Sequence, residues 1–155
     1  MTALQGAARW VISLVFVIQL YAMMALMGLI FLPLALASAQ GARWACKVFC
    51  RWALFTARVM VGIRTEVRGS PPTEECLTAA KHQSLLDILM IFYAVPAPKF
   101  IMKRELLWAP VIGQYAYRLG CVPVRRGRRA EAIRTMLQAV KGGARIPGQV
   151  TVYPQ

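Results

Sequence analysis

His82 is the only histidine in this chain of 155 residues, and Asp87 follows it five positions later. A neutral imidazole accepts a proton near pH 7, so His82 is a natural general base for activating a hydroxyl group. A carboxylate on the other ring nitrogen would hold the imidazole in the productive tautomer. Together the two side chains predict hydroxyl activation, provided that the fold brings them into contact.

The neighbouring sequence allows two interpretations of this pair. Residues 76–80 have the pattern of a strand that leads into His82, and residues 84–94 have the pattern of a helix. Ser84 suits the N-cap of that helix, which puts Asp87 in the first turn, where its carboxylate can point back toward His82. In the second interpretation Ser84 and Asp87 form a capping box, and the carboxylate serves only backbone amides. Spacing alone does not separate a catalytic pair from a capped helix.

Charge is distributed very unevenly along the chain. The first forty residues contain one of the 19 Lys and Arg residues and none of the six acids, and residues 10–39 carry no charge. The formal net charge of +13 favours a polyanionic partner, either nucleic acid or an anionic membrane surface. The apolar segment favours the membrane, and the sequence has no zinc-finger spacing or aromatic RNA-binding signature. We therefore predict a membrane partner and no nucleic acid.

The cysteines are scattered and form no CxxC pair, which predicts ordinary reduced thiols. They are Cys46, Cys50, Cys76 and Cys121. We expect no metal site.

The uncharged segment predicts a membrane helix. As a helix, residues 10–32 would cross roughly 30 Å of hydrocarbon before Pro33 disturbs the pattern. Whether this helix spans the bilayer or enters it and returns is left open. Lys and Arg are much denser after the segment than before it, which puts the remaining chain on the cytoplasmic side by the positive-inside tendency. We expect the membrane to be a bacterial inner membrane.

Residues 40–61 predict a second, amphipathic helix. Its cations fall within an arc of roughly 80°, and its large apolar side chains occupy the flank and the opposite face. The cations are Arg43, Lys47, Arg51 and Arg58, and the apolar residues are Trp44, Val48, Trp52, Phe55 and Val59. Such a helix suits the lipid headgroup layer. The alternative is a helix packed on the first one, and the two interpretations are compatible.

After residue 61 the sequence alternates short apolar runs with helical patterns, which predicts an α/β domain with a mixed sheet. The predicted strands are residues 63–68, 76–80, 100–103, 121–124 and 149–153, and the predicted helices are residues 84–94, 110–119 and 129–141. We therefore divide the chain into membrane-anchoring helices at residues 1–61 and an α/β domain at residues 62–155. Because the chain ends on a fresh strand, we expect this domain to be incomplete at its C-terminus.

Four segments of this α/β part resemble one known family in order and spacing. Residues 79–90, AAKHQSLLDILM, resemble the HxxxxD block of the glycerolipid acyltransferases, in particular the 1-acylglycerol-3-phosphate (lysophosphatidic acid) acyltransferases. Residues 100–106, followed by Pro110 and Gly113, resemble the lysine-containing second block. Residues 120–126 resemble the glycine-to-arginine block, and residues 150–155 resemble the strand that leads into FPEGTR. The resemblance covers roughly residues 62–155.

The resemblance implies a role for each matching residue. His82 would be the general base and Asp87 its orienting carboxylate, while Lys103 and Arg126 would bind the phosphate of the acceptor lipid. Gln155 stands where the family usually has a glutamate, and Arg125 stands where an aspartate is common. The implied partners are lysophosphatidic acid, an acyl thioester of coenzyme A or acyl carrier protein as co-substrate, and an anionic membrane surface. No bound cofactor is implied.

Two other functions remain compatible with these residues. One is acyl transfer to a different lyso-lipid acceptor, such as a lyso-ornithine lipid. The other is a non-catalytic basic membrane adaptor built on the same fold. Trp108 and Tyr115 are expected to be packing residues in any of these cases.

Overall fold

A computed structural model of the protein describes residues 3–124, 134 and 148–153. The predicted helix at residues 129–141 lies outside the described residues, except for Arg134, which is helical.

The N-terminal part of the chain consists of three consecutive helices. They are α1 at Ala3–Ile30, α2 at Leu32–Ala37 and α3 at Ala39–Thr56, and α3 continues into a π-helical turn at Ala57–Val61. Pro33 lies in the first turn of α2, where its missing N–H costs nothing, and it separates α2 from α1 as the sequence predicted. Ser38 caps α3, because its hydroxyl accepts a hydrogen bond from the amide of Gly41 at 2.9 Å.

Helix α1 presents an apolar surface that the other described residues barely cover. Its Gln5–Ile30 segment is long and apolar enough to cross a membrane, and its most apolar 18-residue window is only 11 % buried. Trp10 is 68 % exposed and Ile18 is 59 % exposed, whereas Phe16 and Leu20 are buried against the helical core. A surface of this kind is unfavourable in water and favourable in lipid.

Helix α3 lies between α1 and the α/β part of the chain, since it packs against α1 and against the later helices at Leu85–Ala94 and Pro110–Leu119. The buried side of α3 and the following turn is built from small residues, which let the neighbouring helices approach closely. They are Ala42, Ala45, Ala53 and Ala57. The packed interpretation of this helix is confirmed. Its place in the headgroup layer remains a prediction.

The remaining described elements form a parallel α/β unit. They are β1 at Leu77–Ala79, α4 at Leu85–Ala94, β2 at Pro98–Lys103, a 3₁₀ turn at Arg104–Trp108, α5 at Pro110–Leu119, β3 at Val122–Val124 and β4 at Gln149–Val152. The strand order is β1-β4-β2-β3, and every described pairing is parallel. The α/β class is confirmed. We expected a mixed sheet, but the sheet is parallel over these strands. Helix α4 connects β1 to β2 and α5 connects β2 to β3, so each of these strands begins at the same edge of the sheet.

The strand predicted at residues 63–68 is wrong. This segment has no regular secondary structure and is exposed throughout, and no described strand pairs with it. Its apolar residues Ile63 and Val67 are 39 % and 54 % exposed. A local strand-like pattern is not sufficient, because a strand also needs a neighbour to complete its hydrogen bonds.

Gln149 fixes the position of the last strand within the sheet. Its side chain is almost fully buried, with 1 % of the residue exposed. The amide NH₂ donates to the carbonyl oxygens of Thr73 and Glu74 at 3.0 and 2.9 Å, and the amide oxygen accepts from the Ala97 N–H at 2.9 Å. All three bonds join segments that are far apart in the sequence. They hold β4 between the loops that precede β1 and β2.

The two aromatic residues expected to pack behave differently. Tyr115 is buried in α5, and its hydroxyl donates to the carbonyl oxygen of Gly28 in α1 at 3.1 Å. Trp108 is 85 % exposed, so its assignment as a packing residue was wrong. It is the last residue of the 3₁₀ turn that precedes α5.

Replacement of Gly113 by alanine should destabilise the fold, because a Cβ at this position would overlap the carbonyl oxygen of Leu107. That oxygen belongs to the backbone of the preceding turn and cannot rotate away, so α5 would have to shift. We expect a loss of about 1–3 kcal/mol, typical of overpacking. Thermal unfolding in detergent measures the loss. Gly6→Ala, where a Cβ meets no atom within 4 Å, is the matched control. Equal melting temperatures for the two variants would contradict the expectation.

Candidate active site

The candidate site lies where the parallel strands end. The carboxyl ends of parallel strands share one edge of a sheet, and functional loops in α/β proteins concentrate there. The chain leaves β1 through Ala80 and reaches His82 before α4 begins, while β4 leads into Tyr153. The Ala80 N–H donates to the carbonyl oxygen of Val152 at 3.0 Å, which keeps the carboxyl ends of β1 and β4 adjacent.

The structure brings His82 and Asp87 together, as the sequence predicted. The Nδ1 atom of His82 is 3.7 Å from Oδ2 of Asp87. This separation fits an ion pair and is longer than a hydrogen bond, and catalytic hydrogen bonds without substrate are often long in this way. The side chains of His82 and Asp87 are 33 % and 25 % exposed. Because Nδ1 faces the carboxylate, Nε2 is the nitrogen left for a substrate.

Asp87 also caps helix α4, so the same carboxylate lies beside His82 and forms the capping box. Its Oδ2 accepts hydrogen bonds from the amides of Gln83 and Ser84 at 2.5 and 2.7 Å. These two amides, more than the nearby His82, lower the pKa of Asp87 below its usual value of 3.8. The carboxylate is therefore ionised at neutral pH. It is also held rigidly, which lets it orient an imidazole.

Three aromatic rings pack in series beside His82, and the sequence patterns did not predict these contacts. The rings of His82 and Tyr153 are 4.7 Å apart, Tyr153 stacks on Phe100 at 6.2 Å, and Phe100 stacks on Phe92 at 6.0 Å. Such contacts restrict ring rotation and exclude water from one face of the imidazole. The sequence signal for the contact with His82 was that Tyr153 ends the last predicted strand, because the carboxyl ends of parallel strands lie at the same edge of a sheet.

Tyr153 presents a neutral hydroxyl beside the site. Burial, and then the negative charge of Asp87, raise the pKa of Tyr153 to about 12. Its phenol oxygen is buried and has no hydrogen-bond partner among the described residues.

The predicted phosphate-binding residues are only partly described. Lys103 ends β2, opposite Val124 at the end of β3, and it is exposed. Strands β1 and β2 are separated by β4, so Lys103 ends a strand roughly 10 Å from the one that leads to His82. Arg126 and Gln155 lie outside the described residues.

All four cysteines are free thiols, as expected.

The capping role of Asp87 predicts acid sensitivity. Its pKa is lower in the folded protein than its usual value, so the carboxylate stabilises the fold above about pH 3.8 and this stabilisation is lost as the pH falls through the folded-state pKa. We expect the melting temperature of the native sequence to fall more between pH 6 and pH 3 than that of Asp87→Asn. Thermal unfolding in detergent at both pH values tests this. Parallel pH dependence of the two proteins would contradict it.

Comparison with known proteins gives matches to acyltransferases. The Acyltransferase family model matches residues 64–154, which is more than half of the chain. The chain is 35 % identical over 111 residues to 1-acyl-sn-glycerol-3-phosphate acyltransferase alpha of Mus musculus, an alignment that covers 68 % of this chain and 38 % of that protein. It is 29 % identical over 119 residues to 1-acyl-sn-glycerol-3-phosphate acyltransferase of Pseudomonas aeruginosa, covering 73 % of this chain and 45 % of that protein. No solved structure gives a significant match.

The chain thus spans less than half the length of these two relatives. The matched region contains the His82 and Asp87 block and all four described strands. The apolar helix α1, which precedes the match, indicates membrane association. The family resemblance drawn from the four sequence blocks is confirmed, and the chain belongs to the Acyltransferase family.

Proposed function

We propose that the protein to which this chain belongs transfers a fatty acyl group from a thioester to the sn-2 hydroxyl of lysophosphatidic acid, which yields phosphatidic acid. The observation that carries the proposal is the contact between His82 and Asp87, 3.7 Å apart at the carboxyl edge of the sheet. The names of the two related acyltransferases support the choice of acceptor.

In the proposed reaction His82 acts as a general base. Its Nε2 atom takes the proton of the acceptor hydroxyl as the hydroxyl oxygen attacks the thioester carbonyl carbon. The carbon–sulfur bond then breaks, and the departing thiolate takes the proton from the imidazolium. Asp87 orients the ring through Nδ1 and stabilises the positive charge that His82 carries between these steps. The products are an ester and a free thiol, and no acyl group is attached to the protein.

We propose that Lys103 and Arg126 bind the phosphate of the acceptor. A phosphate monoester requires cationic hydrogen-bond donors, and Lys103 supplies one at the same sheet edge as His82. Lys103 has no ion-pair partner among the described residues. Its removal should therefore raise the KM for the acceptor more than it lowers kcat, since it binds the substrate away from the reacting atoms.

The acyl donor and the location are proposed on chemical grounds. Thioesters of coenzyme A and of acyl carrier protein present the same reactive carbonyl, so both belong in the assay. The excess of Lys and Arg after α1 supports a catalytic domain on the cytoplasmic face of a bacterial inner membrane.

Acceptor competition tests the function. The purified full-length protein is given equal amounts of lysophosphatidic acid and a lyso-ornithine lipid with a radiolabelled acyl thioester, and the products are separated. We expect phosphatidic acid to dominate. Acylation of the aminolipid alone would overturn the acceptor, and the absence of any acyl transfer with both donors would overturn the enzymatic function in favour of an adaptor.

A further inference from the structure

A cleft of about 390 Å³ lies on the side of the protein where α3 meets the segment that follows it. Its volume falls within the range of small-molecule sites, roughly 300–1,000 Å³. The lining includes three arginines, one acid and three larger apolar or aromatic side chains. These residues are Arg51, Arg58, Arg64, Glu66, Leu54, Phe55 and Tyr93, together with Thr65.

The cleft is positively charged, and its own acid does little to neutralise it. Glu66 is held by Arg68, with two nitrogen-to-oxygen distances of 3.2 Å. The guanidinium groups of Arg51, Arg58 and Arg64 have no ion-pair partner among the described residues. Three guanidinium groups that line one cleft and have no carboxylate partner among the described residues favour a phosphate ligand, since each can donate two hydrogen bonds to phosphate oxygens.

The surroundings of the cleft favour a lipid over a soluble phosphate. Phe55 is 63 % exposed and Tyr93 is 45 % exposed within the lining, and Val59, one turn after Phe55, is 66 % exposed. The π-helical turn that carries Arg58 packs directly against α1, the helix with the lipid-compatible surface. A headgroup beside α1 would therefore meet the arginines while its glycerol and chains meet the exposed apolar side chains.

The cleft is separate from the candidate active site. Tyr93 lines the cleft from the last turn of α4, whereas Asp87 lies in the first turn. They are six positions apart in the helix, which corresponds to about 9 Å along the axis. Neither His82 nor Lys103 lines the cleft.

We propose that this cleft binds the phosphate headgroup of an anionic membrane phospholipid, which is neither acceptor nor product, and fixes the orientation of the α/β part on the bilayer. The site holds the phosphodiester through Arg51, Arg58 and Arg64. It does not depend on acyl transfer, so the proposed function can fail while this site stands.

The test is lipid binding by the purified full-length protein in neutral detergent. Dioctanoyl phosphatidylglycerol is titrated by isothermal calorimetry, with dioctanoyl phosphatidylcholine and inorganic phosphate as separate arms. We expect phosphatidylglycerol to bind more tightly than both. The double replacement Arg58→Gln and Arg64→Gln should weaken its binding at least about tenfold, as expected for the loss of two charge-assisted contacts.

Three further variants make the result decisive. Arg134→Gln removes an exposed arginine outside the cleft, and Lys103→Gln removes a cation of the candidate active site, so both should bind phosphatidylglycerol like the native sequence. Arg64→Gln alone, in the exposed segment after Gly62, still tests the site if the double variant does not fold. An equal loss in Arg134→Gln or Lys103→Gln, or phosphate binding as tight as lipid binding, would overturn the proposal.

Discussion

Replacement of His82 by alanine should lower the rate of acyl transfer about 10²- to 10⁴-fold, the usual contribution of a general base. These 155 residues contain no other histidine, so no second imidazole within them can take over the proton transfer. Asp87 cannot replace it either, because its lowered pKa makes the carboxylate a weak base and two backbone amides occupy Oδ2. Residual activity would reflect substrate positioning alone. The measurement is the initial rate of product formation at saturating acceptor and donor.

The matched control for this variant is Gln83→Ala. Gln83 is an exposed neighbour in the same loop, and its recorded contact with Asp87 runs through the backbone amide, which alanine retains. We expect native activity and a native melting temperature. If His82→Ala keeps more than a tenth of the native rate while folding normally, His82 is not the base. A similar loss in both variants would instead point to damage of the loop.

The sequence was most informative where structure depends on local contacts. Helix α5 occupies the predicted residues, because Pro110 favours its first turn and Gly120 adopts the left-handed conformation, with φ of 73°, that ends it. Helix α4 begins after Ser84 for a similarly local reason. The strand expected at residues 63–68 shows the limit of local patterns, because pairing depends on partners elsewhere in the chain.

The candidate site shows the same division between local and distant contacts. His82 and Asp87 are close in sequence, so a strand, a loop and a helical turn were sufficient to predict their contact. Tyr153 reaches the imidazole only because β4, the last described strand, inserts between β1 and β2. Gln149 holds that strand in place through buried contacts with distant loops, which no periodicity in the sequence reveals. Contact with His82 and the capping box were also not exclusive alternatives, since one carboxylate lies beside His82 and accepts from the backbone amides.

Replacement of Asp87 by asparagine should separate these two roles. Asparagine retains an oxygen that can accept from the amides of Gln83 and Ser84, so much of the cap of α4 should survive. The negative charge beside Nδ1 of His82 is lost, and with it the preference for the tautomer that leaves Nε2 free to accept a proton. We expect the rate of acyl transfer to fall about 10²- to 10⁴-fold, the upper end being the cost of the equivalent change in a Ser-His-Asp triad.

The variant Asp87→Ala is the comparison for Asp87→Asn, because alanine removes both the charge and the helix cap. Its melting temperature should fall below that of Asp87→Asn by an amount that corresponds to about 1 kcal/mol, while the two rates should be similarly low. The same pair of measurements, initial rate and thermal unfolding at pH 7, is made on both variants. If Asp87→Asn kept the native rate and only Asp87→Ala lost it, the carboxylate would act on catalysis through the shape of the loop and not through its charge on His82.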